Sequence, residues 1–117
     1  MSSDAQILQE LRRATAGPLF MSESDYPFEL IQWPGTTEIT PEFLRTVAGE
    51  SKDSPVQEIE VEDFLTSGLY QPLLLVLQSQ LADVKAYKVG RINMPVFLVG
   101  RSNTGSWLGV VTRIVQT

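Results

Sequence analysis

Cysteine and histidine are both missing from this 117-residue chain. Without cysteine there is no disulfide framework, no thiol nucleophile and no thiolate-held metal. Without histidine the commonest general base and the usual transition-metal ligand are gone as well. Cations are also scarce: nine Lys and Arg stand against fourteen Asp and Glu, a net charge of −5. A nucleic-acid backbone demands clustered positive charge, so no direct nucleic-acid partner is expected. The same balance favours encounter with a basic partner. Long hydrophobic runs are lacking too. The longest, Leu73 to Leu77, falls far short of the roughly 20 residues that span a bilayer. Met1 to Gln9 is polar and acidic, unlike the basic start and apolar middle of a secretory signal. The expectation is a soluble, cytoplasmic protein with no membrane partner.

What remains is the composition of a globular protein: 43% apolar residues and 20% charged. The length suits a single domain over residues 1–117. No residue set offers a persuasive acid–base pair, so the chain is read as a binding protein and not as an enzyme. A carboxylate-only active site would need a second acid beside Glu23, and only Asp25 is near in sequence.

Periodicity sketches the elements. Ser3 or Asp4 caps a first helix whose Ile7, Leu8, Leu11 and Ala14 or Thr15 share one face, with Glu10, Arg12 and Arg13 toward water. Gly17–Pro18 stops it. Phe28 to Trp33 reads as a strand closed by Pro34–Gly35, and Trp33 as either core or an interface anchor. Thr40–Pro41–Glu42 combines a capping hydroxyl, a proline at the first helical position and an acid near the positive end of the dipole. That second helix ends at Gly49. Gln57 to Val61 alternates as a half-buried strand, with Glu58, Glu60 and Glu62 on its other face. A third helix from Leu69 to Ala82 buries Leu73, Leu74, Leu77 and Leu81. Ala86–Val89, Val96–Val99 and Trp107–Val115 then read as three antiparallel strands.

Three groups of residues carry candidate chemistry. The first is Leu19 to Glu29, where Ser22, Glu23, Ser24, Asp25 and Tyr26 sit between apolar flanks. Serine and aspartate side chains bond nearby backbone and favour a structured turn, and Pro27 holds Tyr26 extended. A carboxylate loop fixed at both ends can imitate a phosphate or give oxygen to a partner's metal; a polar surface turn is the plainer alternative. The second group is the triplet Glu58, Glu60 and Glu62, either a site for a metal or basic partner or a charged edge that opposes aggregation. The third is Thr117, whose hydroxyl and terminal carboxylate offer hard oxygens to a cation such as Mg²⁺; a frayed terminus is the alternative.

Taken together, Leu19–Glu29, Trp33, the hairpin Tyr87–Gly100 and the final strand to Thr117 resemble the nuclease A inhibitor family, which blocks a sugar-non-specific DNA/RNA nuclease. The resemblance runs from the Ile7–Leu8 helix to Thr117. It implies a three-layer α/β/α sandwich with a mixed, largely antiparallel sheet. It also implies a non-specific endonuclease as protein partner, bound by a monomer in a 1:1 complex, and no cofactor beyond the Mg²⁺ of the target nuclease. By the same resemblance Thr117 ligates that metal and Glu23 engages catalytic-site groups. Ser22, Ser24, Asp25, Tyr26 and Gln116 would complete the nuclease-binding set. Two features depart from the family. Gln116 stands where an acid is usual, and the stretch between Phe64 and Leu73 lacks an acidic insertion. These keep open a protein-interaction module of the same fold with a target other than a nuclease.

Overall fold

A computed structural model describes residues 3–15, 28–66 and 70–115. Helix α1 (Asp4–Ala14) begins as its sequence dictates. The Ser3 hydroxyl accepts from the Gln6 amide, the Gln6 side chain accepts from the Ser3 amide, and the two form a capping box. Ile7 and Leu11 are its buried residues, while Glu10, expected to face water, is only partly exposed. Strand β1 (Glu29–Trp33) follows. Helix α2 (Pro41–Ala48) is capped by the Thr40 hydroxyl, which accepts from the Phe43 amide at 3.0 Å. It stops at Gly49, whose φ of 72° is the left-handed conformation that glycine adopts without a Cβ penalty.

Strand β2 (Val56–Ile59) is shorter than its alternation predicts. Glu60 precedes a single helical turn, α3 (Val61–Phe64), without a side-chain cap. The reason is spacing. Val61 and Leu65 are both buried in the same cluster; a continued strand would bring Asp63 to that face between them, whereas a helical turn leaves Asp63 exposed. Helix α4 (Gln71–Gln80) carries Leu73, Leu74 and Leu77 inward, as expected. Strands β3 (Ala82–Val89), β4 (Asn93–Arg101) and β5 (Trp107–Val115) form a meander. β3 and β4 are each longer than predicted. A register shift between Ala82 and Lys85, with Asp83 at φ 54°, breaks the alternation that would have marked the start of β3.

The described sheet has five strands in the order β1-β5-β4-β3-β2. Every ladder is antiparallel. The mixed sheet implied by the family resemblance is therefore corrected: among the described strands no parallel pair occurs, because β1 and β2 both add antiparallel to the outer strands of the meander. Successive residues of β4 face opposite sides of the sheet. Val96 and Leu98 join Ile7, Leu11, Leu73 and Leu77 in one buried cluster. Phe97 and Val99 join Ile31, Leu44 and Val89 in a second. The fold is thus mixed α+β, with α1 and α4 contributing to one cluster and α2 to the other.

Candidate functional site

Ser22, Glu23, Ser24, Asp25, Tyr26, Gln116 and Thr117, the predicted nuclease-binding residues, all lie outside the described residues. Their flanks are described. Phe28 leads into β1 and is buried edge-on against Tyr70, ring centroids 5.9 Å apart. Glu29 pairs with Val111, and β5 then runs on to Val115. Because β1 and β5 are antiparallel, the chain arrives at β1 from the same end of the sheet toward which β5 departs. At ~3.3 Å per residue, Val115 lies about 13 Å along the strand from the Glu29–Val111 pair. Phe28 and Val115, the described residues next to the two segments that sequence reading singled out, therefore stand toward one end of one sheet.

That end is braced. Val115 pairs with Asn93, so the turn between β3 and β4 lies there too. Arg113 donates to the Asn93 side-chain oxygen at 3.0 Å, and Arg91 to the Asp53 carbonyl at 3.4 Å. The Gly90 amide donates to the Pro55 carbonyl at 2.9 Å, joining the loop before β2 to the same turn.

Beside it, on the side of the sheet that α2 partly covers, is a groove of about 600 Å³. Its lining includes Ile31 and Trp33 of β1, Phe97 of β4 and Val111 of β5, with Val47 from the last turn of α2. Glu29, Pro95, Thr112 and Arg113 lie toward the braced end. Trp33 is half-buried, edge-on to Phe43 at 4.9 Å and tilted against Phe97 at 5.8 Å, so it belongs to the core on this side. Sequence reading missed the groove. The available signal was the alternation of Trp107, Gly109, Val111 and Arg113, which puts an arginine on the same face as apolar neighbours.

The acidic triplet does not converge. Only Glu58 lies within β2; Glu60 stands just before α3 and Glu62 lies in it. Each carboxylate has a separate neighbour. Glu60 pairs with Lys85 at 2.9 Å. Glu62 accepts from the Gln78 amide nitrogen. Glu58 lies opposite Tyr87 in the ladder. The hydrogen bond to Glu60 holds the Lys85 ammonium above its ordinary pKa, and burial, then the charge of Glu58, pushes the Tyr87 phenol up. β2 is an outer strand of the described sheet, where such charges oppose further strand pairing.

At the opposite end, Asp4 meets the turn between β4 and β5. Thr104 Oγ1 donates to the Asp4 carboxylate, 2.8 and 2.9 Å from its two oxygens. Burial alone would push the Asp4 carboxyl up, but hydrogen bonds from Ser102, Thr104 and Ser106 outweigh it and hold the carboxyl below its ordinary range. The contact ties the start of α1 to the hairpin.

Among the described residues no group of three or more acidic side chains is placed to hold a metal, and no helix is long and apolar enough to cross a membrane. The family described as "Nuclease A inhibitor-like protein" matches the chain over residues 5–70 and 65–117. The two matched stretches overlap at residues 65–70. No curated protein matches the chain.

Proposed function

The chain belongs to the nuclease A inhibitor-like family, and on that premise we propose that it inhibits a Mg²⁺-dependent, sugar-non-specific DNA/RNA nuclease by occluding the active site. The acidic loop Ser22–Tyr26 enters the site with Glu23 against catalytic groups. Gln116 and Thr117 enter beside it, and in a chain that ends at Thr117 the terminal carboxylate meets the nuclease's metal. Mg²⁺ takes hard oxygen donors, and both groups supply them. The protein acts as a non-catalytic monomer in a 1:1 complex, in the cytoplasm.

The observation that carries this reading is the register of β1 on β5. Phe28 and Val115, which flank the two proposed segments, stand toward the same end of the sheet, and that end is braced by Arg113 and Arg91. Two short segments rooted on one rigid platform suit simultaneous insertion into one cleft. The α/β/α layering implied by the family is supported by the two buried clusters, one sharing residues with α1 and α4 and the other with α2.

Mixing the purified protein with such a nuclease and following plasmid digestion tests the proposal. Inhibition saturating at one inhibitor per nuclease is expected. Glu23→Gln should weaken it, since losing a desolvated charge contact costs ~2–5 kcal/mol, about thirty-fold to several thousand-fold in affinity. Its melting temperature should stay close to the parent's. Absence of inhibition by the parent protein ends this reading.

A further inference from the structure

We propose that Arg101 is a positioning residue: it clamps the turn after β1 to the turn before β5 and so fixes the register of β1 on β5. The clamp stands on described residues alone; its bearing on inhibition rests on the inhibitor reading.

Register is weakly specified where a strand is apolar on both faces, because a one-residue slip exchanges the faces. Residues 28–33 are such a case. Phe28 and Leu30 join the first buried cluster, and alternation puts Gln32 on their face. Ile31 and Trp33 join the second, and Glu29 shares their face. Each face thus carries two apolar residues and one polar residue, and a slip trades one such face for the other. β1 is also an outer strand, with β5 its one neighbour among the described strands. Its hydrophobic pattern does not by itself select the pairing of Ile31 with Gly109.

Arg101 is placed to make that selection. It lies opposite Trp107 of β5, which lies opposite Trp33 of β1, so three side chains form a row across this end of the sheet. The Arg101 guanidinium carbon stands 4.4 Å from the Trp107 ring centroid, a cation–π contact that holds the planar fork over the indole. From there one nitrogen, Nη1, donates to the Gly105 carbonyl at 2.7 Å and to the Gly35 carbonyl at 3.3 Å. Gly35 lies just beyond β1 and approaches Gly105 closely: a Cβ on Gly35 would stand 2.6 Å from the Gly105 carbonyl oxygen. The Trp107 indole nitrogen adds a bond to the Thr37 carbonyl at 3.1 Å. A one-residue slip of β1 would carry Gly35 ~3.3 Å along the strand and off a donor that the indole face holds in place. It would displace Phe28 relative to Val115 by the same step.

The test is Arg101→Lys, which keeps the charge and loses the planar fork, with Arg101→Gln beside it. Cross-strand NOEs between directly opposed residues report the register: Ile31 with Gly109 in the parent, Ile31 with Leu108 or Val110 after a slip. A residue that merely adds stability would lower the melting temperature and leave these NOEs unchanged. Both variants should show a second set of slipped NOEs. Both should also inhibit a Mg²⁺-dependent non-specific endonuclease about tenfold more weakly, or worse, than the parent. Should the Gln variant fail to fold, the Lys variant decides alone. A Lys variant with only the parent's NOEs overturns the clamp, whatever its inhibition, and leaves the inhibitor reading standing. Slipped NOEs with unchanged inhibition overturn the positioning role. A parent protein that inhibits no such nuclease ends the inhibitor reading alone, and the NOEs still decide the clamp.

Discussion

At residue scale, Gly109 has the tightest surroundings of the described glycines. It lies in β5 between Ile31 of β1 and Val99 of β4. A Cβ there would collide with the Leu98 carbonyl oxygen and come within 2.8 Å of the Val99 Cα, both backbone atoms with no rotamer to yield. Gly109→Ala should therefore destabilise by about 1–3 kcal/mol. For a domain of this size that lowers the melting temperature by roughly 4–20 °C. An unchanged melting curve would show that β4 and β5 can separate at this point. Asp4 makes a weaker but pH-specific contribution. Its folded pKa is depressed, so its stabilisation is present above the ordinary carboxylate pKa and is lost as pH falls through the folded value. Asp4→Ala should cost some stability at pH 7 and progressively less below about pH 4. Urea midpoints for both proteins across that range measure it, and a gap that does not narrow in acid would assign the Asp4 effect to something other than its charge. Because the carboxylate is mostly solvated, the gap should be small throughout.

At the scale of elements, α2 shows how local chemistry serves the site. Thr40 caps it, Pro41 starts it and Gly49 ends it, and all three were readable before any tertiary contact was known. Its position over the sheet, with Val47 beside the groove, comes from Leu44 and Phe43 packing in the second cluster. Thr40→Ala removes the acceptor of the Phe43 amide and should cost about 1 kcal/mol, with Thr40→Ser restoring most of it. Denaturant unfolding of the three proteins is the check, and equal midpoints would mean that packing alone holds the helix. The stretch from Glu58 to Glu62 is the opposite case. Its alternation is genuine, yet continuing it would bury Asp63 between Val61 and Leu65, so the chain turns into a helix after Glu60 and the three carboxylates disperse. Local pattern lost there to tertiary burial.

At the scale of the whole molecule, the net charge of −5 bears on how a complex would form. Association with a phosphate-binding nuclease should slow steeply as salt rises, since charges beyond about 10 Å are screened at 0.1 M, while dissociation changes less. Stopped-flow mixing over a salt series measures both rates, and a flat association rate would contradict electrostatic steering. A Gly-Ser tail added after Thr117 turns its carboxylate into an amide and adds bulk to a closed cleft. In a chain that ends there, inhibition should fall about thirty-fold to several thousand-fold. The same tail before Met1 should have no effect. Full potency from the C-terminally extended protein would exclude the metal-ligand mechanism.

The sequence by itself determined the absence of thiol and imidazole chemistry, the acidic charge, the caps of α1 and α2, the buried face of α4 and the meander of the last third. These depend on residue identity and short-range spacing. Tertiary structure alone decided that β1 pairs with β5, that all described ladders are antiparallel, that Glu58, Glu60 and Glu62 find different partners, and that α2 leaves a groove beside Arg113. Each of these joins residues far apart in the chain, and spacing along the sequence carries no register between distant strands. The register of β1 on β5 is what brings Phe28 and Val115, far apart in the chain, toward a common end of one sheet.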